Sequence, residues 1–238
     1  MSTDLWVLLA TAASVGFIHT ILGPDHYIPF IVMSKAGKWS MPRTAVITFL
    51  CGLGHILSSV VLGLIGVAFG VAVTKLTWIE ATRGEIAAWA LIAFGFVYFV
   101  WGMRRALKNQ AHTHLIPHRH GEDEPHHDHK NADHVHKDEV AVAKPNMTPW
   151  VLFIIFVLGP CEPLIPILMY PAAQGSTYGL IMVTAVFGTV TIATMLTVVM
   201  IASMGISFVR MGKIEKYSHA LAGGALFLSG AAIRFLGL

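Results

Sequence analysis

Apolar residues in this chain fall in long unbroken runs, and the polar residues collect between them. Stretches of 18 or more mostly apolar residues recur through its 238 residues. Each is long enough to cross a bilayer core of about 30 Å. They predict six membrane-spanning helices, at about 5–33, 43–73, 85–103, 148–172, 178–208 and 217–237. The first, second, fourth and fifth runs exceed one simple crossing, which predicts tilt or a break partway along. The chain opens Met1-Ser2-Thr3-Asp4 with no basic segment, so the first run reads as a retained span, not a cleaved signal.

Two of the runs are interrupted in the same way. Leu22-Gly23-Pro24-Asp25-His26 in the first lines up, 136 residues on, with Leu158-Gly159-Pro160-Cys161-Glu162 in the fourth. At that shift and without a gap, Met33 meets Met169, Ser40 meets Ser176 and Gly52 meets Gly188. Three spans per half is an odd number, so the second copy must insert upside down. The predicted fold is an all-α polytopic membrane protein, an inverted three-plus-three repeat of six transmembrane helices. Spans one and four are broken at Gly23-Pro24 and Gly159-Pro160. The domains read as a first three-helix repeat over 1–108, a histidine-rich linker over 109–146 and a second repeat over 147–238.

Composition agrees, with 55% hydrophobic and 12% charged residues. Such a chain expects a lipid bilayer around it and no nucleic acid partner. Of the 16 Lys and Arg, 13 fall after spans one, three and five, leaving only Lys75, Arg83 and Arg234 on the other side. The positive-inside rule makes the rich side cytoplasmic and puts both termini outside, in a plasma (bacterial inner) membrane. Trp6, Trp78 and Trp89 then fall near the outer boundary, and Trp39, Trp101 and Trp150 near the inner one. Cys51 and Cys161 both lie in predicted spans, so no disulfide framework is indicated.

The cytoplasmic linker is polar and carries nine of the 13 histidines: His112, His114, His118, His120, His126, His127, His129, His134 and His136. With so little apolar surface it is expected to be disordered. Dense imidazoles suit late first-row metals, so it reads as a site of metal capture.

Ionisable residues inside spans are costly and mark function. His19, Asp25 and His26 share span one, and Pro24 breaks the helix between them by removing a backbone donor. Two half-helix N-termini at mid-membrane would suit an anion. Asp25 and Glu162, however, occupy those first turns and would repel it. Two carboxylates with imidazoles suit a divalent cation instead: nickel, cobalt, zinc, iron or manganese. His55, in Gly52-Leu53-Gly54-His55, reads equally as a ligand or as a histidine bonded across helices. Cys161, in register with Asp25, reads equally as a ligand or as a small hydrophobe. The candidate metal ligands are therefore His19, Asp25, His26, His55, Cys161 and Glu162.

The stretch Gly16-Phe17-Ile18-His19-Thr20-Ile21-Leu22-Gly23-Pro24-Asp25-His26 resembles the histidine–aspartate–histidine signature of the nickel/cobalt transporter superfamily, and looks closest to its NicO and UreH-like membrane proteins. Five residues separate His19 from Asp25, where that signature usually has four. A histidine-rich loop between three-span halves is similar to the exporters of this group. The resemblance implies translocation of a divalent metal, nickel or cobalt first, with His19, Asp25 and His26 as ligands. The expected function is alternating-access metal transport without a prosthetic group and without enzymatic activity. No Walker motif is visible, so a proton or other ion gradient would drive it. The alternatives are a thiol–disulfide electron conduit of the CcdA/DsbD type, a sulfite-like anion exporter and a metal-dependent membrane enzyme. The conduit needs a second cysteine opposite Cys161, and Asp25 stands there.

Two outcomes are expected. Reporters fused to either terminus will be active only when they require the outer side, and purely cytoplasmic activity refutes the topology. Deleting residues 112–136 will weaken metal capture but leave residual transport, measured at equal membrane abundance.

Overall fold

The computed structural model describes residues 3–108, 148–208 and 212–237. The linker histidines lie outside these residues. Among the described residues every regular element is helical: α1 (Thr3–Leu22), α2 (Ile28–Ala36), α3 (Met41–Ala68), α4 (Val73–Lys108), α5 (Thr148–Leu158), α6 (Leu164–Ala173), α7 (Thr177–Phe208) and α8 (Ser218–Leu236). Short 3-10 turns occupy Pro24–His26 and Gly212–Tyr217. Five segments are long and apolar enough to cross a membrane: Asp4–Leu22, Met41–Ala68, Val73–Lys108, Thr177–Ile206 and Ile214–Leu236. Large apolar side chains such as Trp6, Leu22, Val97, Trp150 and Ile201 stand exposed around the outside, as lipid-facing residues do.

The breaks fall where the Gly-Pro pairs stand. Proline has no amide proton, so each pair closes the helix before it; Pro24 opens a 3-10 turn, and α6 begins four residues beyond Pro160. The apolar run at 148–172 is accordingly two short helices, α5 of 11 residues and α6 of 10. At about 1.5 Å per residue the two together rise roughly 30 Å, one bilayer core. Element bounds recur at the spacing of the sequence match. Leu22 ends α1 and Leu158 ends α5, Ile28 and Leu164 begin α2 and α6, and Met41 and Thr177 begin α3 and α7, each pair 136 apart.

One helix departs from expectation. The third span reads from residue 85 in sequence, yet α4 starts at Val73 and runs 36 residues. The polar residues that suggest a loop there include Glu80 and Arg83. Both turn inward and bond each other, so the helix continues through them.

Three apolar clusters hold the bundle together. One joins Leu9 and Ala12 of α1 to Ile56, Cys161, Val183 and Phe187. A second joins Met33 and Trp39 to Leu91, Leu152 and Leu226. A third joins Phe30 of α2 to Cys51, Phe156 and Met195. Trp39 is thus 8% exposed and packs inside, unlike the other tryptophans assigned to the interface. Lipid tails compete with apolar side chains, so helix association in membranes leans on close backbone approach at small residues. The α4–α8 crossing is built that way. A side chain at Gly95 would strike the backbone of Phe227, one at Gly102 that of Ala220, and one at Gly223 that of Phe99. At Gly230 a Cβ would lie 2.9 Å from the Ile92 nitrogen.

Replacing Gly223 by Leu is expected to force α4 and α8 apart and to destabilise the protein by about 3 kcal/mol, an overpacking effect. The matched control is Gly205, where an added Cβ would meet nothing within 4 Å. Thermal unfolding of both variants in one detergent checks this, and equal stability refutes the crossing.

Candidate metal centre

The first break builds half of the site from within itself. The Gly23 amide still bonds the His19 carbonyl at 3.0 Å, so α1 closes before Pro24. The Ile21 carbonyl, left without a helical donor, takes the Tyr27 hydroxyl at 3.2 Å. The chain then makes a 3-10 turn in which the His26 amide bonds the Gly23 carbonyl at 3.1 Å. That turn folds His26 back over the break, beside His19 of α1, with ring centroids 4.7 Å apart. Gly23 is required for this. A Cβ there would lie 2.9 Å from the Asp25 Oδ1 and closer still to the His26 ring.

His55 arrives from the middle of α3. Its ring centroid is 5.1 Å from that of His26, edge to face. His26 and His55 are each 2% exposed. One ligand nitrogen from each of His19, His26 and His55 lies within 4.8 Å of the others.

Hydrogen bonds fix which nitrogens are free. The Nδ1–H of His55 donates to the Phe156 carbonyl at 3.3 Å. The Nδ1–H of His26 donates to the Gly23 carbonyl and to the Asp25 carboxylate, each at 3.1 Å. A carbonyl can only accept, so both rings carry their proton on Nδ1 and, when neutral, keep a lone pair on Nε2. The Nε2 atoms of His19, His26 and His55 are all buried and have no hydrogen-bond partner. A buried polar atom without a partner is costly, about 1–3 kcal/mol. Three of them in one place could serve as donors to a metal ion. A carboxylate or carbonyl on the opposite nitrogen is the usual support of a metal-binding histidine. A metal held at about 2.0–2.1 Å from each nitrogen needs the rings to draw inward by roughly 1 Å.

The three histidines are among the residues that line a cavity of about 810 Å³ between α1, α4, α8 and the two breaks. Asp25 and Glu162 also line it, and Glu85 and Arg234 form an ion pair at 3.9 Å on its wall. The Asp25 side chain is 32% exposed, so it reaches into this space while bonding His26.

The six candidate ligands thus sort themselves. His19, His26 and His55 converge, Asp25 supports His26 and faces the cavity, and Glu162 is exposed on the cavity wall. Cys161 is fully buried in the apolar cluster of Leu9, Ala12 and Phe187. Thr191, the repeat partner of His55, packs against Gly16 instead. His219 bonds the Tyr98 hydroxyl at 2.8 Å in a separate group near Trp101.

Sequence reasoning passed over Glu80, Arg83 and the Ser58-Ser59 pair. Glu80 is fully buried, paired with Arg83, and accepts from the Ser59 hydroxyl and the Cys161 amide at 3.0 Å each. Arg83 donates to the carbonyl of Val157 at 2.8 Å and to that of Gly159 at 3.4 Å. The sequence signal for them is an acid and a base three residues apart next to an apolar run. No protein-family model, curated protein or solved structure matches this chain.

Proposed function

We propose that this protein is a membrane transporter of divalent transition-metal ions, nickel or cobalt first, working by alternating access. The observation that carries this reading is the convergence of His19, His26 and His55, one ring nitrogen of each within 4.8 Å of the others, with their Nε2 atoms buried and without a hydrogen-bond partner. Neutral imidazoles select borderline late first-row metals over magnesium or calcium. Asp25 and Glu162 on the cavity wall would offset the charge of a dication as it sheds water.

The six-span inverted repeat is the architecture proposed with it. The shared spacing of element bounds supports it, as does the helix pairing. A two-fold that exchanges the halves sends α1 against α7 into α5 against α3, and α2 against α8 into α6 against α4; all four contacts occur. The self-paired contacts α3–α7 and α4–α8 occur too. α5 and α6 are then the sixth crossing, split in two. In this arrangement the termini and the cavity mouth at Glu85 and Arg234 face outward, and the histidine-rich linker faces the cytoplasm.

One observation favours a second reading. A cavity of about 810 Å³ is larger than an ion needs and falls in the range of small-molecule sites. Three histidines with an open position are also a catalytic-metal arrangement. A metal-dependent membrane enzyme would turn over a small molecule in a sealed detergent preparation, where a transporter would not.

Proteoliposomes loaded with a metal-sensitive dye test the transport reading. Asp25→Asn and His26→Ala are expected to lower Ni²⁺ and Co²⁺ flux about 10–100-fold, and His219→Ala to leave it near wild type. Protons compete with the metal for imidazole nitrogen, so metal affinity should fall in acid. Normal flux in both site variants refutes the site.

A further inference from the structure

His55 comes from a different helix than its two partners, so something has to hold it in place. Its ring is tied to the Phe156 carbonyl at 3.3 Å, in the last turn of α5. That turn ends at Gly159-Pro160, where the final carbonyls have no helical donor. Arg83 supplies the donors. Its Nη2 reaches Val157 and Gly159, the residues on either side of that turn's end, at 2.8 and 3.4 Å.

The same Nη2 donates to the Ser58 hydroxyl at 2.7 Å, and that hydroxyl donates to the His55 carbonyl at 2.8 Å. Arg83 therefore acts on His55 from two sides, on its backbone by way of Ser58 and on its ring by way of the turn that carries Phe156. Glu80 neutralises Arg83 and closes the far side of the break by accepting from the Cys161 amide at 3.0 Å. A half-buried arginine among apolar helices is costly if it serves packing alone. Here its partners are the Glu80 carboxylate, the Ser58 hydroxyl that bonds the His55 carbonyl, and the carbonyls of Val157 and Gly159 at the end of α5.

We propose that the Glu80–Arg83 pair is a positioning element that sets the orientation and tautomer of His55 toward His19 and His26. The proposal rests on the reading of these three histidines as the metal site. It assigns no contact between the pair and the metal.

The test uses the full chain, ¹⁵N-labelled on histidine, in lipid. His55 resonances are identified by their loss in His55→Asn. Wild type is expected to show one tautomer with the proton on Nδ1; Arg83→Gln is expected to mix the tautomers. Co²⁺ affinity is then measured for wild type, Arg83→Gln, His55→Ala and the double variant. Arg83→Gln should weaken Co²⁺ about 10–100-fold, the size of a supporting-residue effect. In the His55→Ala background it should change affinity by no more than about twofold.

An unchanged His55 signal in Arg83→Gln overturns the proposal. So does an equal loss of Co²⁺ affinity with and without His55, which marks a general loss of structure. If wild type binds no Co²⁺ while the tautomer still responds to Arg83→Gln, the metal reading fails and the positioning role stands. Should Arg83→Gln not fold, Ser58→Ala removes only the link to the His55 backbone. It is judged by the same readouts, with an effect in the same direction supporting the proposal and none overturning it.

Discussion

A helix broken inside a bilayer leaves carbonyls and amides that water cannot reach, and each must find a partner in the protein. The Glu80–Arg83 pair meets that demand at the second break. One side chain covers the open carbonyl end of α5, and the other accepts the amide beyond the proline. A buried ion pair is weak as a source of stability, because desolvating both charges offsets most of their attraction. Its value lies in specifying one geometry. The break cannot drift without stranding a carbonyl, a carboxylate and a guanidinium together.

The two breaks share a register but solve the same problem by different means. The first is satisfied locally: the Tyr27 hydroxyl, the His26 amide and the His26 ring take its free carbonyls. That local solution folds His26 back beside His19 and so produces two of the three donors. The second break recruits α4 and α3, and offers the Phe156 carbonyl to orient the third. A histidine ring lies close to each glycine. A Cβ at Gly23 would collide with His26, whereas one at Gly159 would stand 3.2 Å from the Phe156 carbonyl and 3.3 Å from the His55 Nδ1, a tight fit. The breaks thus fall at a shared 136-residue spacing, and side-chain chemistry divides the labour between them.

Much of this was legible in the chain because the bilayer imposes coarse rules. Apolar runs marked the helices, and a Gly-Pro pair inside a run marked a break. His19 and His26 stood out because a buried histidine beside a break is expensive without a role. His55 was ambiguous, since nothing in sequence tells whether a partner helix presents a carbonyl or another imidazole. Glu80 and Arg83 were lost for a different reason. Hydropathy treats each charged residue as a penalty, and the three charges at Lys75, Glu80 and Arg83 moved the apparent start of the third span to residue 85. An acid and a base that face each other inside the bundle cancel that penalty, and only tertiary structure shows that they meet. Cys161 misled in the opposite direction, because register identifies equivalent backbone positions and not equivalent side-chain directions.

The arrangement of charge around the histidines bears on how an ion could come and go. A site made only of carboxylates would hold a dication strongly but would need protons when empty, as like charges cannot remain bare in a low dielectric. A site made of neutral imidazoles stands empty without that conflict. Partnerless Nε2 atoms of the three histidines lie buried, while Asp25 and Glu162 line the cavity. An ion moving inward would meet negative charge first, while it still holds water, and nitrogen donors last. The carboxylate of Asp25 links the stages, since it bonds the His26 ring from behind and raises its strength as a donor. If a metal is carried here, binding tight enough to strip water and loose enough to release the ion is served by this division, with the Asp25 charge one hydrogen bond away from the His26 ring.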